Sequence, residues 1–286
     1  MEAVKMAMAT NGYAIIENAL SPAQVATAKQ YFTEWLSANP QLKEKHRKID
    51  PHGIFKFAEV GHQRHAWYLK TLEEVQAPFR ALWGTDELTT GFDGSCWIPS
   101  DYSGKDKIWT HTDQAPDTKG LVCIQGFVAL TSNVERTLVV YEGSHLLHES
   151  YMKEKNITGK KNWELIEHTY LARIADRKKV LKISAGSLVL WDSRTFHQNQ
   201  YGKVGEERMV QYVCFLPKAH KSNSKSQQEK RIKYYNDRRT TSHWPYPLKV
   251  NGLQPRTYGD QTLLIDYSEL NTPDLADLDA KIRRLL

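Results

Sequence analysis

The segment AGSLVLWDSRTFHQN, residues 185–199, carries most of the information about the fold of this chain. A Gly-Ser pair indicates a turn, and the apolar run LVLW at 188–191 is typical of a buried strand. Asp192 then indicates a second turn, and His197 lies just beyond it. An imidazole that follows a buried strand in this way is a candidate metal ligand.

A second informative stretch, WTHTDQAP at 109–116, places His111 and Asp113 two positions apart. Residues i and i+2 of a strand point the same way, so both side chains could reach one ion. Such a triplet is weak evidence by itself, because it arises often and usually marks a local hydrogen bond. Two imidazoles and one carboxylate on one face commonly hold iron(II) in oxygen-activating enzymes without haem. His197 is the best candidate for the third ligand.

Arg208 strengthens the metal hypothesis. It lies eleven residues after His197, in the predicted strand ERMVQYVCFL, and one hairpin could return it beside a metal. A guanidinium binds a carboxylate through two parallel hydrogen bonds, which lysine cannot copy. The pattern therefore indicates a metal site that also takes a dicarboxylate.

The wider pattern predicts a single domain, residues 1–286, of the α+β class. Short β-branched and aromatic runs such as GLVCIQGFVALT and RTLVVYEGS, separated by turn residues, fill residues 88–217. They predict strands packed in a sandwich or barrel. GKKNWELIEHTYLARI, within this region, is expected to be a helical or loop insertion.

The flanking regions are predicted to be helical. In residues 1–87, Ser21 is a helix N-cap signal and the helix is expected to stop before Pro40. A second helix is expected through TLEEVQAPFRALWG. Residues 218–286 are predicted to form a basic helical C-terminal extension, with a further N-cap signal at Thr272.

Composition narrows the class of protein. The 286 residues carry a formal charge of +6, which favours an anionic substrate or partner. No apolar run approaches the roughly 18 residues of a membrane span, so no membrane association is expected. The three cysteines are odd in number and far apart, which argues against a disulfide framework and favours a reducing, cytoplasmic compartment.

Taken together, HTD, EGSH, AGSLVLWDSRTFHQN and the arginine eleven residues on resemble the phytanoyl-CoA dioxygenase family of iron(II)- and 2-oxoglutarate-dependent oxygenases. The resemblance covers residues 10 to 217. It implies a double-stranded β-helix, a jelly-roll or cupin-like core with the metal inside one end. It also implies Fe(II), 2-oxoglutarate and O2, and hydroxylation of a C–H bond in a small-molecule substrate with release of succinate and CO2.

The resemblance also assigns the site. His111, Asp113 and His197 match the family's metal ligands, and Arg208 matches the arginine that pairs with the distal carboxylate of 2-oxoglutarate. Halogenases on this fold replace the carboxylate ligand by a small residue, so Asp113 argues for hydroxylation or a related oxidation. A cupin-type isomerase or hydrolase would not need Arg208 at this spacing.

Three further positions are carried over to the cosubstrate pocket. Asn199 stands where the family often has a hydroxyl that assists the arginine, a departure that keeps hydrogen-bonding capacity. Gln125 and Phe127 match positions that line the pocket.

Substrate contacts are expected at three positions. Asp93 and Trp97 alternate along FDGSCW and are expected to line the pocket, or else to belong to a half-buried strand. Arg194 precedes a ligand in a turn, where a substrate contact and a salt bridge to Asp192 are equally good interpretations. His145 is expected to cap a turn, since a fourth ligand would crowd the open face.

One alternative function stays open. Residues 217–239, PKAHKSNSKSQQEKRIKYYNDRR, are strongly basic, and such runs mostly solvate a surface. A non-catalytic jelly-roll module could instead use them to contact an acidic partner, although nucleic acid is not the favoured one. Neither the substrate nor the oligomeric state can be deduced from the sequence.

Overall fold

The computed structural model describes residues 1–49, 52–104 and 106–286. Its strands are β1 Tyr13–Ile16, β2 Ile54–Phe55, β3 Leu88–Thr90, β4 Ser95–Ile98, β5 His111–Thr112, β6 Ile124–Ala129, β7 Leu138–Tyr141, β8 Glu164–Leu165, β9 Lys178–Val180, β10 Leu188–Asp192, β11 His197–Asn199 and β12 Arg208–Pro217. Its helices are α1 Glu2–Asn11, α2 Pro22–Ala38, α3 Pro40–Ile49, α4 Arg64–Lys70, α5 Glu73–Trp83, α6 His148–Glu154, α7 His168–Arg173, α8 Lys225–Asn236 and α9 Asp279–Leu285. Among the described residues, no helix is long and apolar enough to cross a membrane.

The strands form two antiparallel sheets. The larger runs β1-β10-β6-β12-β4-β2, with β3 also paired to β12, and the smaller runs β8-β5-β11-β7-β9. Side chains of both sheets meet in one buried cluster, in which Phe127 and Trp191 of the larger sheet join Leu138 and Val140 of the smaller. This arrangement is the predicted jelly roll, with helices outside it, and the α+β class is confirmed.

Strand alternation separates the two faces of the larger sheet. Along β10, Val189 and Trp191 point into the jelly roll, whereas Leu188 and Leu190 belong to the cluster under the helices. The helices contribute large apolar side chains to that outer cluster, among them Phe32 of α2. Because β10 is buried on both faces, its sequence reads as a continuous apolar run.

The N-terminal helices follow their sequence signals with one addition. Ser21 and Gln24 form a capping box at the start of α2. The helix ends before Pro40, as predicted. Pro40 also begins α3, because proline is favoured at the first helical position. This second helix was not predicted from the sequence. Pro78 lies within α5 without interrupting it, and Gly84 ends that helix in the left-handed conformation, at φ 65°.

Two expectations for the later segments need correction. The insertion GKKNWELIEHTYLARI holds α7 but also β8, which pairs with β5 and extends the smaller sheet. Thr272 does not cap a helix, since the Asp274 carboxylate instead accepts from the N–H of Ala276 and α9 begins at residue 279. The segment 218–286 contains α8, α9 and short 3-10 turns, and its middle part is irregular.

Candidate metal centre

The candidate metal centre lies where β5 meets β11 in the smaller sheet. His111 of β5 pairs directly with His197 of β11. The turn after β5 is held by the N–H of Asp113, which donates to the Ser193 carbonyl at 2.9 Å. The structure thereby brings the three predicted ligands together, with their donor atoms within 4.8 Å of one another.

The hydrogen bonds of the two imidazoles define their tautomers. Nδ1 of His111 lies 3.1 Å from the Trp109 carbonyl oxygen, and Nδ1 of His197 lies 2.9 Å from that of Thr195. A carbonyl only accepts, so Nδ1 carries the proton and Nε2 keeps its lone pair. The two Nε2 atoms face one carboxylate oxygen, Asp113 Oδ2, at 3.7 and 3.4 Å. Two neutral imidazoles and a carboxylate are the donor set that non-haem iron(II) takes.

The charges of the cluster favour a cation. Burial lowers the pKa of His111, and the neighbouring His197 lowers it further. Burial alone would raise the pKa of Asp113, but the two histidines outweigh it and hold that pKa well below its usual value. The cluster therefore combines an ionised carboxylate with a neutral imidazole at His111, the states in which these groups bind metal.

Gln125 of β6 supports the cluster directly. Its side-chain N–H donates to Asp113 Oδ2 at 3.1 Å, which fixes the orientation of the carboxylate. Phe127, two residues along the same face, is buried in the jelly-roll core beneath the Arg208 guanidinium, 5.4 Å from ring centroid to guanidinium carbon. Gln125 lines the cavity described below and Phe127 does not.

Arg208 is a buried cation with spare hydrogen-bonding capacity. It is 1% exposed, and its Nη1 donates to Cys96 Sγ, a weak acceptor, at 3.2 Å. Its Nη2 has no hydrogen-bond partner among the described residues. A buried guanidinium left in this state suits the carboxylate of a ligand.

Tyr212 and Asn199 connect Arg208 to the cavity. The Asn199 amide donates to the Tyr212 hydroxyl at 3.0 Å, and Arg208 lies near enough to this phenol to lower its pKa against the effect of burial. Burial raises the pKa of Tyr212, so the phenol stays neutral. The hydroxyl expected at position 199 is thus supplied from β12. The sequence reading missed Tyr212, although it lies four residues after Arg208 on one face of a strand.

A cavity of about 280 Å³ adjoins the three ligands. On one side, Trp109 and Trp163 each stack with His111, at centroid distances of 4.6 and 5.8 Å. On another side, the C-terminal segment contributes residues 241–243 and Asn251 to the lining. These C-terminal residues carry no recognisable sequence signal, and Trp163 lies in the segment expected to be a simple insertion.

The model of the phytanoyl-CoA dioxygenase (PhyH) family matches residues 8–200. The chain belongs to this family. Among curated proteins it resembles "Ava biosynthesis cluster protein O" of Aspergillus versicolor, at 30% identity over 233 residues, which cover 72% of this chain and 75% of the relative. Family membership confirms the predicted enzyme class, a 2-oxoglutarate-dependent oxygenase, whose cofactors are the predicted iron and 2-oxoglutarate.

Solved structures agree on the fold. The epimerase SnoN, in complex with Fe3+, alpha-ketoglutarate and nogalamycin RO, superposes with a TM-score of 0.55 at 20% identity, over 76% of this chain and 83% of that chain. EctD from S. alaskensis, with 2-oxoglutarate and 5-hydroxyectoine, superposes with a TM-score of 0.54 at 17% identity, over 76% of each chain. The double-stranded β-helix is therefore shared with these enzymes.

Asp93 and Trp97, the two substrate residues expected on β4 and just before it, lie in different places. Asp93 lines the cavity. Trp97 lies on the helix-facing side of the larger sheet, stacked near Phe55 at 6.4 Å, and its indole N–H donates to Glu207 at 3.2 Å. Trp97 is not part of the cavity lining.

Arg194 also lies outside the cavity lining, and the salt-bridge interpretation describes it. Its Nε and Nη2 donate to the two carboxylate oxygens of Asp192 at 3.0 and 2.7 Å. This bidentate pair closes the turn that leads into β11. His145 lies apart from the three ligands, with Nε2 3.1 Å from the Ala9 carbonyl oxygen, as expected for a structural histidine.

Proposed function

We propose that this PhyH-family chain hydroxylates a C–H bond of a small organic molecule in an iron(II)- and 2-oxoglutarate-dependent reaction that releases succinate and CO2. The observation that carries the proposal is the pair of imidazole Nε2 lone pairs facing Asp113 Oδ2. When bound, iron(II) supplies the activation of dioxygen, coupled to decarboxylation of 2-oxoglutarate, that no side chain can supply.

The residues of the chain have separate tasks in this reaction. His111, Asp113 and His197 hold the metal on one face and leave the other to ligands. Arg208 binds the far carboxylate of 2-oxoglutarate through the guanidinium nitrogen that has no hydrogen-bond partner in the described part of the chain. Tyr212 positions that guanidinium, and the tryptophan-walled cavity excludes water from the reacting C–H bond.

The names of the relatives support a small-molecule substrate. SnoN is described with nogalamycin RO bound, and EctD with 5-hydroxyectoine. A cavity of about 280 Å³ suits a compact molecule beside the cosubstrate. Asp113 argues for hydroxylation rather than halogenation, because it fills the position at which a halide would bind iron.

The alternative, a non-catalytic module that uses residues 217–239, is not favoured. Part of the positive charge of this segment is used inside the molecule. Arg231 is fully buried and donates to the Pro245 carbonyl at 2.7 Å, and Arg238 pairs with Glu59 at 2.6 Å. The exposed lysines of α8 then form an ordinary solvated helix face.

The test combines a spectrum with product analysis. Under anaerobic conditions, Fe(II) and 2-oxoglutarate should together give a weak visible charge-transfer band, and air should then give succinate. His111→Ala should abolish both signals. His220→Ala, a substitution on the exposed surface, is the matched control and should leave both intact. Absence of the band and of succinate in the wild-type protein would overturn the proposal.

A further inference from the structure

One wall of the cavity is formed by residues with polar atoms that have no hydrogen-bond partner in residues 1–49, 52–104 and 106–286. Asp93, Ser242 and His243 line the cavity together with the metal ligands. Oδ2 of Asp93, the hydroxyl of Ser242 and Nε2 of His243 are buried and have no hydrogen bond among the described residues, whereas Oδ1 of Asp93 faces the Lys70 ammonium at 3.4 Å. Buried polar groups almost always find partners, so three such atoms on residues of one wall indicate a ligand that supplies them.

The charge of Asp93 is balanced from behind the wall. Lys70 Nζ lies 3.4 Å from Asp93 Oδ1, and the two side chains are 0% and 6% exposed. The same ammonium donates to the Gly91 carbonyl at 3.1 Å. A carboxylate has about four lone-pair positions, and one lysine contact leaves most of them available. Because Lys70 already supplies a counter-charge, Asp93 can be satisfied by a neutral hydrogen-bond donor as well as by a charged one.

The other two residues reach this wall through a docked loop. The Thr241 N–H donates to the Phe92 carbonyl at 2.8 Å, and the Phe92 N–H donates to the Thr241 hydroxyl at 2.9 Å. These two bonds place residues 242–243 beside Asp93. Further along, Arg231 holds the loop through the Pro245 carbonyl. The loop lies outside residues 8–200, the part matched by the family model.

We propose that Asp93, Ser242 and His243 form a recognition wall for a hydroxyl or amino group of the substrate, whose apolar body lies against Trp109 and Trp163. The inference rests on the proposed function, because it names the substrate class of that same site. Asp93 can only accept, so the substrate group must donate, and a substrate carboxylate meets a like charge there. The substrate is therefore an alcohol or an amine, in contrast to the anionic substrate favoured by the net charge of +6.

The test uses three probes of one size: 2-phenylethanol, 2-phenylethylamine and phenylacetate. Each is titrated by anaerobic calorimetry into the protein loaded with Fe(II) and 2-oxoglutarate. The alcohol or the amine should bind about tenfold or more tightly than phenylacetate, the size of effect expected for one charge-assisted hydrogen bond. Comparison of the first two probes identifies the donor. Equal or tighter binding of phenylacetate, or no saturable binding of either donor probe, overturns the proposal.

Substitutions in the recognition wall distinguish a loss of probe binding from a loss of folding. His243→Gln and Ser242→Ala should each weaken the preferred donor probe several-fold, whereas His220→Gln, on the exposed surface of the same C-terminal region, should not. Asp93→Asn leaves Lys70 buried without its partner and can unfold the chain, so the double variant Lys70→Met/Asp93→Asn replaces it and should lose the preference for donors over phenylacetate. Unchanged preference in all three wall variants contradicts the proposal.

The two proposals fail in different ways. The charge-transfer band is recorded for each protein before the probes are added. A wild-type protein without the band contradicts the proposed function. A wild-type protein with the band but without preference for donor probes contradicts only the recognition wall.

Discussion

The Gln125 amide donates at 3.1 Å to Asp113 Oδ2, the same oxygen that both imidazoles face. This contact orients the carboxylate before any metal arrives. Gln125→Leu keeps the size of the side chain and removes the donor, so we expect metal affinity to fall about tenfold, as for other residues that support metal ligands. Anaerobic titration with Fe(II), or with Co(II) as a spectroscopic substitute, measures the change.

Gln30→Leu, an exposed substitution on α2, is the matched control for this experiment. It should leave metal affinity as in the wild type. Wild-type affinity in Gln125→Leu would show that Asp113 needs no such orientation.

Replacement of Arg136 is expected to lower the stability of the fold strongly. It is fully buried, and its guanidinium N–H groups donate to five backbone carbonyls at 2.5 to 3.1 Å, those of Pro99, Tyr102, Tyr201, Lys203 and Glu206. Arg136→Met leaves these carbonyls without a donor, so the free energy of unfolding should fall by about 3 kcal/mol or more. Urea unfolding followed by circular dichroism measures it, and the exposed Arg173→Met should change little. A small loss in Arg136→Met would mean that water satisfies the loop.

Two buried histidines, His62 and His65, should make the free energy of unfolding depend on pH. Burial lowers the pKa of His62 and of His65 to about 3. The unfolded chain, with histidine pKa values near the usual 6.5, binds more protons between these limits, so the free energy of unfolding rises with pH from 3 to 6.5. Each histidine contributes up to about 1.4 kcal/mol per pH unit. Asp93 has the opposite sign, because burial raises its pKa to about 6 and its contribution is lost as pH rises through that value.

Comparison with a variant isolates one histidine from the other groups. His65→Gln should make the dependence of unfolding free energy on pH between 6 and 5 shallower by about 1.4 kcal/mol per unit. The exposed His168→Gln should keep the wild-type slope. An unchanged slope in His65→Gln would show that His65 is protonated in the folded protein.

The residues that the sequence predicted correctly are those whose geometry is set locally. His111 and Asp113 share one turn, and His197 follows a strand buried on both faces, so spacing and burial pattern were sufficient. Trp97, which was expected to line the pocket, lies in the cluster packed under the helices. Alternation along a strand tells which side chains share a face, but not which face meets the cavity.

The rest of the site depends on contacts between distant segments, which periodicity cannot reveal. The loop that carries His243 docks on Phe92 through one backbone–backbone hydrogen bond and one bond to the Thr241 hydroxyl, and no local sequence pattern predicts this contact. Cys123 and Cys214 form another contact between distant segments that the sequence does not reveal. They are far apart in the sequence, yet their sulfur atoms lie 3.5 Å apart as buried thiols.

Arg208 gives the sharpest test of cosubstrate binding. Arg208→Lys keeps the positive charge but loses the planar fork that can bind a carboxylate with two hydrogen bonds, so affinity for 2-oxoglutarate should fall about tenfold or more. Iron affinity should stay near that of the wild type, because the three metal ligands are unchanged. Titration of 2-oxoglutarate against the anaerobic charge-transfer band, with calorimetry of Fe(II) alone, separates the two affinities. Arg194→Lys, outside the cavity lining, is the matched control, and unchanged 2-oxoglutarate affinity in Arg208→Lys would reject the role assigned to this residue.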